Sequence, residues 1–267
     1  MHPIERLRYL ARSSGGDARV MVSETASALR GMGMDPAGLV VACRRIVERH
    51  PTSGPLWWLC AHMLTAADPY ATARRLADEI DVDPTPEFLI DVLPTDSTVC
   101  VVGWPDLAGE ALLRRGDVRV LAIDADDQGS SFVRRLERAD VEAEIIEPAG
   151  LSAAVLSADL VLVEASAASP SELLAARSSR AAASVAYCSE VPVWAVVGIG
   201  RCLPEAGFTS LVQRVADVRD PWQAEADVVP LALFSHTVTA AGLWPIEEVS
   251  LAAECPLAHE LLRSSVM

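Results

Sequence analysis

The chain has 267 residues, 51% of them hydrophobic and 22% charged, which supplies a packed core and excludes a disordered polymer. Its net charge of −15 is uneven, with 10 Arg against 12 acidic residues through position 95 and 12 against 25 beyond it, so phosphate backbones and anionic lipid are disfavoured partners. All 22 basic residues are arginine and asparagine is absent, a pattern of GC-rich coding that excludes a P-loop lysine, a Schiff-base lysine and an N-glycosylation site.

The opening run Met1-His-Pro-Ile-Glu-Arg6 carries charge where a secretory signal would be apolar, which predicts a cytoplasmic protein. Helices are predicted over residues 4–12, 20–30, 36–49, 55–67 and 70–80, divided by Gly15-Gly16, Gly31-Met-Gly33, His50-Pro-Thr-Ser-Gly54 and Asp68-Pro69. Leu39, Ala42, Cys43 and Ile46 recur at helical spacing while Arg44, Arg45, Glu48 and Arg49 stand off that stripe, the pattern of an amphipathic bundle. Asp35-Pro36 and Asp68-Pro69 each place a capping carboxylate before a proline at the first helical position. Adjacent Trp57 and Trp58 are expected to pack against the second half of the chain rather than to stack on a ligand. The proline-rich stretch 81–96 is read as the junction between a helical domain over residues 1–85 and an α/β domain over 96–267.

Beyond the junction, apolar runs of strand length at 99–102, 118–123, 143–146, 160–163 and 191–197 alternate with helical segments at 107–115, 130–139, 151–156 and 170–187. Runs this apolar belong to strands covered on both faces, and the alternation predicts a Rossmann-like, doubly wound parallel sheet. Ligands of such sheets sit beyond the carboxyl ends of the strands, which selects the loops 103–105, 124–129, 164–166 and 198–201. Asp124 stands where a ribose-binding carboxylate would lie, but the turn Gly103-Trp-Pro-Asp-Leu-Ala-Gly109 lacks the glycine spacing of a dinucleotide site. The apolar, uncharged stretches 55–67 and 191–200 fall short of the roughly 18 residues of a membrane span. Cys43, Cys60, Cys100, Cys188, Cys202 and Cys255 show no metal or disulfide spacing and are expected to be reduced thiols inside apolar segments.

The phrases Arg49-His-Pro-Thr-Ser-Gly54, Gln128-Gly129, Ala158-Asp-Leu-Val-Leu-Val163, Val191-Pro-Val-Trp-Ala-Val196 and Asp227-Val-Val-Pro230, in this order of parts, resemble the initiation factor 2B α/β/δ-like family. That family includes the ribose-1,5-bisphosphate and methylthioribose-1-phosphate isomerases. The resemblance implies a homodimer, with residues 230–238 supplying an interface strand or helix, and a sugar-phosphate or nucleotide pocket. Its proton-transfer cysteine would fall at Gly103 and its catalytic aspartate at Ser166, in Glu164-Ala-Ser166, so both groups are replaced. The family's Asn-Lys-Ile-Gly-Thr signature falls on Ala176-Arg-Ser-Ser-Arg180, where Arg177 and Arg180 could fork a phosphate or serve as exposed helix charges. Proton transfer between sugar carbons needs groups that titrate near the working pH, and a lone serine is not one. The implied reading is an initiation factor 2B-like protein without the isomerase pair, binding a ligand or a protein; the alternative is a divergent aldose-ketose isomerase that recruits Asp124, Glu164 or Ser166. The pocket candidates are Gly103, Trp104, Asp124, Gln128, Gly129, Glu164, Ser166 and Arg177, with no catalytic residue, cofactor or metal expected. His50, His62, His236 and His259 show no ligand spacing, Ser235-His236 with Asp227 lacks a nucleophile elbow, and Asp126-Asp127 reads as a solvated pair.

Overall fold

The computed structural model of the chain describes residues 17–33, 35–125, 129–216, 220–248, 251 and 255–262. The helix expected at 4–12 lies outside them, as do Asp126, Asp127 and Gln128. The next four expected helices form as α1 (Ala18–Met32), α2 (Pro36–Arg49), α3 (Gly54–Thr65) and α4 (Pro69–Asp81). The Asp-Pro signals behave as chemistry dictates. Asp35 accepts from Gly38 N at 2.7 Å, and Asp68 accepts from Tyr70 N and Ala71 N. Helix α3 is buried along most of its length because it is apolar all round, with both Trp57 and Trp58 inside. The junction stretch holds a further helix, α5 (Thr85–Val92), which closes onto the α/β half through buried Leu89.

The second half runs β1 (Thr98–Val102), α6 (Leu107–Leu113), β2 (Arg119–Ile123), α7 (Gly129–Glu137), β3 (Glu142–Ile146), α8 (Leu151–Leu156) and β4 (Leu160–Ala168). It continues through β5 (Glu172–Ala176), α9 (Ser179–Cys188), β6 (Val193–Val197), α10 (Glu205–Ala216), β7 (Ala226–Pro230), β8 (His236–Thr239), β9 (Gly242–Pro245) and α11 (His259–Leu262). The sheet order is β3-β2-β1-β4-β6-β8-β9, parallel as far as β8, with β9 antiparallel on one edge. Covered faces explain the apolar runs. Cys100, Leu121, Val161 and Val163 meet α8 and α9 on one side, while Val99, Val101, Val120 and Leu162 meet α6 and α7 on the other.

Three expectations are corrected. The segment 170–187 is not one helix: Ser169 Oγ accepts from Ser171 N and Glu172 N to make a turn, and β5 follows, pairing antiparallel with the outer half of β4 and with β7. Alanine-rich Leu173-Leu174-Ala175 is buried on both faces, so tertiary packing overrides its helical propensity. The sheet is mostly parallel, as expected, and gains antiparallel pairings at β5, β7 and β9. Residues 164–166 are strand and not loop, since β4 runs for nine residues with a shift in register between Ala165 and Ala167. Of the cysteines, Cys188 is exposed and Cys202 partly so; the other four are buried.

A third core joins the helices α1 to α4 with Ala167, Leu174, Leu203, Phe208, Leu211, Ala258 and Leu261. Trp58 lies under Gly200, where a Cβ would come within 2.9 Å of its ring, and the Arg214 guanidinium stands 4.6 Å from the centre of Trp57. Both tryptophans thus pack against the second half, as expected. The amino end of α3 presses on β4, with Gly54 so close to the Ser166 carbonyl that a Cβ would lie 2.6 Å from it.

Candidate functional site

The carboxyl ends of β1, β4 and β6 open toward the first turn of α1 and the turn between α4 and α5, and four charged side chains converge there. Glu164 ends the stretch of β4 that pairs with β6. Its carboxylate accepts from Asp106 N at 3.1 Å and Ala108 N at 2.9 Å, the open donors at the start of α6. It also accepts from Arg201 Nη1 at 2.8 Å, and the same guanidinium nitrogen donates to the Ala165 carbonyl. Arg201 is 5% exposed. Burial alone would lower its pKa, but the charges of Glu164, Asp106 and Asp83 outweigh that and the net shift is upward.

Asp83 is buried and fully engaged: Oδ1 accepts from Thr85 N at 2.9 Å and Thr85 Oγ1 at 2.6 Å, and Oδ2 accepts from Ile199 N at 2.9 Å. This last bond brings the turn after β6 so close that a Cβ on Gly198 would lie 2.4 Å from Asp83 Oδ2 and 2.3 Å from Leu107 Cδ1. Asp106 is different, because the first turn of α1 gives it a single long bond, Ala18 N to Oδ2 at 3.3 Å. Burial first, then the charge of Glu164, push its carboxyl up to about 8; Arg201 opposes, Asp17 adds, and the Ala18 amide opposes. Beside it, Arg19 pairs with Glu110. Between Asp17, Asp83, Asp106 and Arg201 remains a recess of about 10 Å³, space for one water.

Of the residues singled out in the sequence, Glu164 alone belongs to this cluster. Gly103 is buried at φ +68°, donating to the Ile123 carbonyl, and its α-carbon faces Ala176 and Ala125. Trp104 tilts against Phe132 with ring centres 6.1 Å apart. Asp124 accepts from Gly129 N at 3.0 Å and so caps α7. Gln128 lies outside the described residues. Ser166 sits partly buried at the irregular point of β4. Arg177 donates through Nε to the Ala224 carbonyl at 2.7 Å, and Asp227 accepts from Arg180 N, so this corner fastens the segment before β7 to α9. Residues 230–238 are largely taken up inside the chain by β8 and its neighbours, leaving Ala232 and Ser235 exposed. His236 lies beside Trp194 and Ser235. Among the described residues no His, Cys, Asp and Glu group has the geometry to hold a metal ion.

Asp83 and Asp106 are the members that sequence reading missed; Arg201 stands in the selected loop 198–201 but was not among the pocket candidates. A signal existed for Arg201: it follows the buried run of β6 as Glu164 follows that of the adjacent β4, and two opposite charges at neighbouring buried strand ends call for each other.

No family model matches the sequence, and no curated protein matches it. Solved structures do. The Pyrococcus horikoshii OT3 translation initiation factor eIF-2B has TM-score 0.75 at 13% identity, covering 90% of this chain and 96% of that one. The tetrameric eIF2B-beta2-delta2 complex from C. thermophilum gives 0.69 at 17% identity, over 91% and 90%. The eIF2B beta structure from Chaetomium thermophilum gives 0.63 at 17%, over 91% and 88%. The chain has the fold of these subunits, helices first and the sheet after; no helix among the described residues is long and apolar enough to cross a membrane.

Proposed function

We propose that the protein is a cytoplasmic, non-catalytic relative of the initiation factor 2B α/β/δ fold that works as a homodimer by binding a small ligand or another protein. The observation that carries this reading is the self-filled crevice. Ligands of such sheets are held by amide donors at a strand-to-helix turn. Here two of the α6 donors are engaged by the protein's own Glu164, neutralised in turn by Arg201. The replacement of the isomerases' cysteine and aspartate by Gly103 and Ser166 agrees with it, because neither a backbone hydrogen nor an isolated alcohol moves protons near neutral pH. Assembly is supported by analogy with the tetrameric beta2-delta2 complex, whose subunits share this fold.

The purified protein incubated with ribose-1,5-bisphosphate or methylthioribose-1-phosphate is expected to form no ketose, and measurable ketose overturns the reading. One feature of the site favours the alternative of a divergent sugar-phosphate isomerase: burial and the neighbouring charge of Glu164 push the Asp106 carboxyl up to about 8, the range that general acid–base work requires. If turnover is found, its loss on Glu164→Gln in a folded protein selects that alternative.

A further inference from the structure

We propose that Asp106 is a proton-held latch which fastens the first turn of α1 over the crevice, so that each opening of this turn releases a proton and access to the crevice rises with pH. The geometry rests on an unequal supply of donors. Three carboxylates, Asp83, Asp106 and Glu164, surround one guanidinium, Arg201. Asp83 and Glu164 each accept three hydrogen bonds. Asp106 accepts one, at 3.3 Å, and is the surplus acid. It must share a partly buried space with the charges of Glu164 on β4 and Asp17 at the cap of α1, while Arg201 after β6 is already engaged by Glu164. Arg19 on α1 is turned to Glu110, on Asp106's own helix, and Asp83 completes the wall from the α4–α5 turn. A proton on Asp106 removes the clash.

The walls differ in strength. β4 and the turn after β6 are tied by the bonds above and by backbone pairing, for example Ala168 N to the Arg201 carbonyl at 2.7 Å. The wall on the solvent side is residues 17–19, partly exposed and anchored by the Ala18 amide and the Arg19–Glu110 pair. When water must reach an ionised Asp106, this turn is the wall that yields.

The sign follows from linkage. Asp106 in the closed form binds its proton more tightly than in the open form, where water replaces the first turn of α1 while Glu164 stays beside it. The free energy of opening therefore falls as pH rises and levels off above about 8. One proton permits at most about 10-fold in the opening constant per pH unit.

Amide hydrogen exchange of residues 18–22, corrected for the intrinsic pH dependence, tests this alongside carboxyl-carbon NMR of Asp106. Protection of these amides is expected to fall by about three-fold or more per pH unit between pH 5 and pH 7.5 in the native chain and to stay flat in Asp106→Asn, with Asp106 itself titrating above pH 6. Flat protection in the native chain, an undiminished slope in Asp106→Asn, or an Asp106 midpoint near 4 each overturns the latch. The NMR titration needs no variant, so the proposal stays open to refutation if Asp106→Asn folds poorly.

Discussion

Helix α7 takes its cap from its own loop, Asp124 reaching five residues ahead to Gly129 N, whereas helix α6 takes its cap from Glu164, 56 and 58 residues beyond the amides it binds. The local cap costs the fold little, because Asp124 keeps contact with solvent and closes a single turn. The remote cap buries a charge, which brings in Arg201 to neutralise it and close approach at Gly198 to seat Asp83. A cap drawn from a distant strand thereby becomes a joint between three elements, and one drawn from the same loop remains a cap.

Three substitutions sharpen that contrast. Arg201→Met should be the most damaging, about 3–5 kcal/mol in urea unfolding, because it leaves Glu164 buried without its countercharge. Adding Glu164→Gln to it should restore part of the loss, and a loss no larger than that of an exposed arginine would break the comparison. Gly198→Ala comes next, with about 1–3 kcal/mol from pushing a methyl against Asp83 and Leu107, visible as a lowered melting temperature. Asp124→Ala should be the mildest at about 1 kcal/mol, the ordinary worth of a helix cap, with its effect on hydrogen exchange confined to the amides of α7. An Asp124 variant as costly as the Arg201 variant would erase the distinction between the two helix ends.

The same distinction governs how much could be read in advance. Helices α1 to α4 and strands β1, β2, β3, β4 and β6 are legible because their signals are local: Asp-Pro starts, glycine stops and short runs of Val, Ile and Leu. β5 was hidden because Glu-Leu-Leu-Ala-Ala is a helical sequence that becomes a strand only by pairing with β4 and β7. Glu164 could be named from its strand end. Asp83 and Asp106 could not, since Asp83 looks like one more acid in a proline-rich connector until Thr85 and Ile199 are seen to donate to it. Arg177 reads in the sequence as an exposed helix charge or a phosphate fork, yet its Nε is committed to a carbonyl of the chain itself.

The core that unites α1 to α4 with Phe208, Leu211, Ala258 and Leu261 sets a schedule for biosynthesis. The tryptophan-bearing helix α3 leaves the ribosome well over a hundred residues before the segments that cover it. At the usual elongation speed of about 5–20 residues per second, the nascent helices wait on the order of ten seconds with Trp57, Trp58 and their neighbours bare. Until Phe208 and Leu211 have been made, α3 has only the neighbouring helices to pack against, and its core is complete only once α11 has been synthesised.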